Sequence, residues 1–477
     1  MNILIVGNGF DLSHFLPTKY DHFMIAMDAI ENWDTAKGEM GFDDLFINDY
    51  WYKNDKTGEE EQNKFFQHTK AMYKTEEIKI FVDEVEKLQN QLEENVWYQY
   101  FSEHVREVRT WIDFELKIKE ALEIVCEYMV NLERFLKNKN SLDGVISSFK
   151  NNRDGEYFLS QKYIRILQLL SLLDVKYQKY SGGGSPYLDE IVEVEYIEDW
   201  QFSTETINEV FVQTMKGFDI YNYKEVTSFL RKLLVDFSKL FNDYLKLFDN
   251  ISFRQKLKNP IANIERVYSF NYTSTYPKNY DETVESYFLH GKLSTENKLV
   301  LGVSDLDSDL LHKFNLWGFT KYHQKLFFDT DYQFIDEYIP KKLEIIQNVE
   351  LTKAHRLSEC ATSSRSVAWI KSGIQRAIED NSLDLNFYIW GHSLDESDRG
   401  YIEELFSFNE PYDQQVRIVV YHFNDEAKYD LLANLINILT KEKVEKWMKK
   451  DWLKFEPNPD IAKLNIIAPA ALPKVQR

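Results

Sequence analysis

Asn271, His290 and Asp11 are the side chains of this sequence best suited to chemistry on a polar ligand. An amide can orient a water or hydroxyl, a carboxylate can stabilise positive charge, and an imidazole, with its ordinary pKa of ~6.5, can exchange a proton near neutral pH. Each follows a short apolar run, and so do several other polar or glycine-rich stretches. They are Gly7-Asn8-Gly9-Phe10-Asp11, Asn271-Tyr272-Thr273, His290-Gly291-Lys292, Gly302-Val303-Ser304-Asp305, Gly391-His392-Ser393-Leu394-Asp395 and Asn424-Asp425. One such ending is what any loop shows. Several on one side of one parallel sheet describe a polar ligand site, because ligands bind beyond the carboxyl ends of the strands in open sheets of this kind.

The elements that must hold these residues are legible from periodicity. Asn2 to Val6 is a β-branched run that stops at Gly7-Asn8-Gly9 and continues as a helix start. The glycines would let backbone approach a phosphate, and a helix start favours negative charge. Leu12 stands where the dinucleotide fingerprint needs its third glycine, so the alternative is a strand-to-helix turn needing Gly for backbone reasons alone. Strand character returns at Arg266–Phe270, Glu285–Leu289, Lys298–Leu301, Asn386–Trp390 and Val416–His422. Between these halves, residues 31–259 read as a mostly helical block without a convincing strand. Helical patterns start near Glu76 and Trp111 and cover Tyr157–Tyr177 and Thr204–Asp249, with a flexible break at Ser181-Gly-Gly-Gly-Ser-Pro186. A strand at residue 2 cannot stay unpaired. The expected fold is therefore α/β, a Rossmann-like parallel sheet built from residues 1–30 and 260–440, with 31–259 as a helical insertion and 441–477 as a C-terminal helix and extended tail.

Composition narrows the function classes. A formal net charge of −21 over 477 residues argues against a nucleic-acid binder, which needs clustered Lys and Arg. Two cysteines, Cys126 and Cys360, can build neither a disulfide framework nor a four-cysteine zinc site, and reduced thiols fit a cytoplasmic protein. No apolar run is long enough to cross a membrane, and the N-terminus lacks the basic region of a signal peptide. Aromatic residues make up 15% of the chain, enough to expect well-packed helices and to allow self-association into a homo-oligomer.

The order Gly7-x-Gly9, Pro17, Asn271, His290-Gly291 and Gly391-x-Ser393-Leu394 resembles the sirtuin signature, including the ten-residue step from Gly7 to Pro17. The wording of the motifs is closer to the bacterial abortive-infection AbiH family: G-N-G-F-D-L with L-P-T-K-Y, then W-I-D-F-E at Trp111–Glu115, S-F-N-Y-T, L-H-G, F-T-K-Y-x-Q and W-G-H-S-L-D-E-S-D. That resemblance spans nearly the whole chain. It implies a phage-defence protein with a sirtuin-like nucleotide-binding core, NAD as substrate rather than resident cofactor, and a phage-derived trigger as a partner.

Carried over, Gly7 and Gly9 would face the pyrophosphate, with Ser393 and Asn424 near the adenosine half and Asn8, Phe10, Pro17, Thr273, Gly391 and His392 among the other nucleotide-binding residues. Asn271 would hold the ribose or its attacking water and His290 would act as base, with Asp11 or Asp113 supplying negative charge to the oxocarbenium-like ribose of a breaking N-glycosidic bond. The sequence departs from sirtuins at Asp11 for a Ser, Phe15 for a Gly, Phe270 for a Gln and Thr273 for an Asp, and it lacks their zinc cysteines, which argues against protein deacylation. No metal is expected on this reading. Two others stay open: a non-catalytic nucleotide sensor, and a hydrolase using Asp11, Asp113, Asp395 and Asp398 around a divalent ion. Lys321 and Gln324 read as exposed polar residues that could touch ligand, and Glu115 as an ordinary first-turn carboxylate. The sirtuin comparison further requires Asn271, His290 and Asp11 to share one pocket.

Overall fold

The apolar run that opens the chain finds its partners more than 250 residues away. In the computed structural model, β1 (Asn2–Val6), β2 (Ile264–Ser269), β3 (Glu285–Phe288), β4 (Asn386–Trp390), β5 (Arg417–His422) and β6 (Leu453–Pro457) form one sheet in the order 3-2-1-4-5-6. Every pairing is parallel, with Leu4 beside Val267 on one side and Tyr388 on the other. The described residues are 1–54, 57–104, 111–139, 141–142, 144–151, 157–179, 200–294, 296–331, 333–362, 366–380 and 382–474.

Alternation along the strands separates two apolar cores. Leu4, Val6, Val267 and Trp390 enter the first; Ile3, Ile5, Tyr268, Phe387, Ile389 and Val420 enter the second. Residues between the first two strands populate only the first core, so the insertion covers one face of the sheet. Its main pieces are α1 (Asn8–Ser13) and α2 (Tyr20–Glu31), which lead into it, and the long helices α3 (Trp111–Asn138) and α4 (Tyr223–Asp249). α2 buries Tyr20, Phe23, Met24, Met27 and Ile30, the stripe expected of an amphipathic helix. The opposite face is covered by Phe334, Tyr338, Leu405, Leu435 and Trp447.

Four readings of the sequence differ from the structure. The insertion carries short antiparallel ribbons, at Met40–Gly41 with Lys79–Ile80, Trp51–Lys53 with Glu60–Gln62, Leu173–Lys179 with Trp200–Ile207, and Val212–Met215 with Phe218–Tyr221. The last of these replaces the first half of the long helix expected from Thr204, because Lys216 and Gly217 both take positive φ, the turn that closes a two-residue hairpin. Lys298–Leu301 is not a strand: the Leu301 N–H and C=O are both taken by the Gln324 side chain, at 2.8 and 3.0 Å. Leu453–Pro457, read as part of a tail, is an edge strand, where charge and proline are tolerated and period-two patterning is weak. The Ser181–Pro186 break lies outside the described residues. Among the described residues, no helix is long and apolar enough to cross a membrane.

The order of strands reverses between β1 and β4, and there the two strand ends are locked by glycine. The Gly9 amide donates to the Gly391 carbonyl at 2.9 Å and Gly7 to Trp390 at 3.1 Å. A Cβ on Gly7 or Gly9 would stand 2.6 or 2.7 Å from Gly391 atoms, and one on Gly391, whose φ is +73°, would overlap the Phe10 amide. Gly391→Ala is therefore expected to cost at least about 2 kcal/mol, combining left-handed backbone strain with overpacking. A urea-unfolding midpoint equal to that of the unsubstituted protein would contradict this close approach.

Candidate functional site

Beyond the carboxyl ends of β3 and β4 lies a cluster of buried charge. It is positioned by α5 (Lys321–Phe328), whose start is stitched to the chain after β3: the Lys321 amide donates to Val303 at 2.9 Å, and the Val303 amide to Phe319 at 2.9 Å. Thr320 caps the helix by accepting from the His323 amide at 3.4 Å. Gln324, held by Leu301 and by the Gly318 carbonyl at 2.9 Å, fixes its rotation. Lys321 and Lys325, one turn apart, consequently share one face, and both are buried.

Lys321 pairs with Glu115 of α3 at 2.6 Å, and Lys325 donates to the Tyr401 hydroxyl at 3.0 Å. At the centre is Asp398, which begins α6 (Arg399–Leu405). Its Oδ1 is 3.3 Å from His290 Nε2 and its Oδ2 3.4 Å from His392 Nε2. Nδ1 of His392 accepts the Leu394 amide proton at 2.9 Å, so the neutral ring carries its proton on Nε2, toward Asp398. The His290 contact is close but misaligned, and both His290 Nε2 and Asp398 Oδ1 have no hydrogen-bond partner. Phe270 packs against both imidazoles, at 4.2 Å from His392 and 5.3 Å from His290, and against Tyr401 at 5.2 Å.

Burial sets the protonation states. It lowers His290 to about 4, with Lys325 adding to the effect, so the imidazole is neutral at pH 7. Burial alone would raise the Asp398 carboxyl, but His290 and Lys321 outweigh it and hold Asp398 well below the usual carboxylate range. Glu115 is pushed up to about 7 by burial against the pull of Lys321. Lys325 is lowered to about 8, again by burial. The cluster therefore offers an ionised carboxylate, an unprotonated imidazole and two buried amines.

A second polar centre lies on the insertion side of the sheet. Asp11, wholly buried, accepts from the Thr273 hydroxyl at 2.6 Å, and Thr273 accepts from Thr275 at 3.1 Å. Asp11 Oδ1 and Asn271 Nδ2 are without hydrogen-bond partners and border one cavity of about 10 Å³, the size of a single water. Burial raises Asp11 to about 6 despite the Thr273 and Thr275 hydroxyls.

The structure thus brings Asp11, Asn271 and Thr273 together and places His290 elsewhere, with His392 and Asp398 on the Phe270 side. The Gly9 amide is used by Gly391, Asn8 accepts from Thr18 at 2.8 Å, the Pro17 carbonyl accepts from Tyr244 at 2.6 Å, and Phe10 is wedged edge-on against Trp390. Ser393 is exposed, and its carbonyl accepts from Asn434 at 3.0 Å. Asn424 caps α7 (Asp425–Leu439) by accepting from the Ala427 amide at 2.8 Å. Asp113 is half-buried in the first turn of α3. Lys321 and Gln324, expected at the surface, are buried instead. Sequence reasoning passed over Lys325 and Tyr401 and gave Glu115 no specific role. The available signal was the 321, 324, 325 spacing behind a Thr cap, which puts three polar side chains on one helical face.

A family model described as bacteriophage abortive infection AbiH matches residues 3–422. The chain belongs to the AbiH family. No curated protein and no solved structure matches it. The matched span of this AbiH chain runs from the first strand to the end of β5 and contains both polar centres. Among the described residues, no three His, Cys, Asp or Glu side chains are placed to hold a metal ion. Asp11 and Asp398 belong to the two different centres.

Raising the Asp11 pKa in the folded state means that the folded protein keeps a proton which the unfolded chain has released. Its contribution is neutral below about pH 4 and becomes a penalty on the order of 3 kcal/mol as pH rises through 6. Asp11→Asn keeps an acceptor for Thr273 and removes the charge. It should match the parent protein at pH 4 and exceed it in urea-unfolding stability at pH 8. An equal difference at both values would show that Asp11 ionises normally.

Proposed function

We propose that this AbiH chain is an abortive-infection effector that binds a nucleotide beyond the carboxyl ends of its sheet and hydrolyses NAD+ at the N-glycosidic bond. The observation that carries the reading is the His290–Asp398–His392 cluster. It sits beside the switch point of a parallel sheet whose 3-2-1-4-5-6 order is that of Rossmann-type dinucleotide folds. Breaking that bond builds positive charge on the ribose while nicotinamide leaves neutral, so the site needs a fixed negative charge and a base for water. Asp398 supplies the first. His290, unprotonated at neutral pH, takes the proton, and His392 orients the carboxylate through Nε2–H. Asn271 and Asp11, on the other side of β2, brace the β2 loop from below in this scheme and do not touch the ribose, unlike their counterparts in the sirtuin comparison.

Purified protein incubated with NAD+ should release nicotinamide, and His290→Ala and Asp398→Asn should each lower the rate by about 10²–10⁴-fold. Asp11→Asn should change it by less than tenfold. NAD+ binding by calorimetry without nicotinamide release would instead identify a sensor. Neither binding nor release would overturn the nucleotide reading altogether.

A further inference from the structure

The face of α5 that carries Lys321 and Lys325 borders a cavity of about 440 Å³, within the range of small-ligand pockets. Its walls differ in chemistry. Tyr322 and Leu326, one turn apart on α5, form an apolar lip, with 72% of Tyr322 and 50% of Leu326 exposed. Asp398 lines the floor, and its Oδ1 has no hydrogen-bond partner although the residue is only 7% exposed. The two ammonium groups are not equivalent. Lys321 is committed to Glu115 at 2.6 Å. Lys325, 9% exposed, makes its hydrogen bond to a neutral phenol, Tyr401, and lies over that ring at 4.6 Å from its centroid. An ammonium has three protons to donate, so Lys325 is equipped to meet an anion without breaking an ion pair. Phe270 and Phe334 hold the Tyr401 ring edge-on at 5.2 and 5.1 Å, which fixes the partner that aims Lys325.

We propose that this cavity binds a ribose phosphate unit, with Lys325 and the Tyr401 hydroxyl taking the phosphate, the free oxygen of Asp398 taking a ribose hydroxyl, and Tyr322 covering the attached base. A carboxylate acceptor beside a cation suits a ligand that carries hydroxyl donors and an anion together. The assignment rests on the reading of this end of the sheet as a nucleotide site, and it names the group that secures the ligand.

Calorimetry on the full chain, with ribose 5-phosphate, adenosine 5′-monophosphate, adenosine and inorganic phosphate as separate probes, tests it. The monophosphate should bind at least tenfold more tightly than either adenosine or phosphate, and ribose 5-phosphate should bind measurably. Lys325→Gln should remove the advantage of the monophosphate over adenosine, Lys325→Arg should keep most of it, and Asp398→Asn should weaken ribose 5-phosphate without changing phosphate. Lys325 is faced by Lys321 on its own helix, Asp398 and Tyr401 from the α6 segment, His290 from the end of β3 and Glu115 from α3. Because burial brings Lys325 to about 8, monophosphate affinity should fall between pH 7 and pH 9, and fall less in Lys325→Arg. Equal affinity for adenosine and its monophosphate, an advantage that survives Lys325→Gln, or no binding of any probe overturns the assignment. Tight monophosphate binding with no nicotinamide release would sink the hydrolysis reading alone. Nicotinamide release with an unaltered KM in Lys325→Gln would sink the phosphate subsite alone.

Discussion

The contact between Gly7-Asn8-Gly9 and Gly391 governs the rest of this molecule. Backbone meets backbone there with no room for a Cβ on either side, and an amide–carbonyl bond of 2.9 Å closes it. Two consequences follow. The strands β1 and β4, nearly 400 residues apart in sequence, are fixed in register at their carboxyl ends. The turn after β4 also has its direction set: Gly391 takes positive φ, and so does Leu394, whose buried side chain and the hydrogen bond from its amide to His392 Nδ1 hold it in a conformation that leucine rarely adopts. That strained turn aims His392 at Asp398. A glycine motif first read as a phosphate cradle is thus also the hinge pin of the site, and the one role is not free of the other, since the Gly9 amide a phosphate would want is already donating.

Buried charge of this density persists only when most of it is internally compensated. An unpaired ion in a low-dielectric interior costs several kcal/mol, and removing one partner of a buried pair is worse than removing both. Lys321 with Glu115 satisfies that condition. His290, Asp398 and Lys325 satisfy it partially: a misaligned imidazole, a carboxylate oxygen without a donor and an ammonium on a phenol. Structural ion pairs are selected for completeness, whereas binding sites keep a few groups incompletely paired. Both centres keep unpartnered atoms, and what separates them is space: the cluster around Asp398 borders a cavity of about 440 Å³, whereas the room at Asp11 is that of one water.

Most of the sheet was legible because it is central and parallel. Strands buried on both faces are short, continuous apolar runs, as β1 is; β2, β3, β4 and β5 announced themselves as short β-branched or aromatic runs. β6 did not, because an edge strand can be charged and end in proline. Three ribbons of the insertion were lost for another reason, since two- to four-residue pairings carry no period to read; the fourth, Leu173–Lys179 with Trp200–Ile207, overlaps stretches that read as helical. Among site residues, the ones visible in sequence were those at strand ends, where topology alone says a ligand comes. Lys325 and Tyr401 sit inside helices, where a polar residue is ordinarily solvated, and their burial is decided by the Thr320 cap, the Gln324 clamp and the Phe270 wall, which only tertiary structure reveals. The split between Asn271 and His290 was invisible too. The register that sets Ser269 beside Phe288 would put them on one face, but both lie past the last paired residues, where alternation no longer sets direction, and His290 packs on the Phe270 ring.

The insertion contributes a charge to the buried cluster through Glu115. α3 belongs to the insertion and buries Phe114 and Ile118 in the first core, and Glu115, between them in sequence, reaches Lys321 at the start of α5. Any movement of α3 relative to α5 would leave Lys321 buried beside Asp398 and Lys325 without its own counter-ion. The charge balance at Asp398 would then shift, since Lys321 already acts electrostatically on Asp398. A helical block that covers one face of the sheet thereby supplies one of the charges in the cluster beyond the carboxyl ends of the strands.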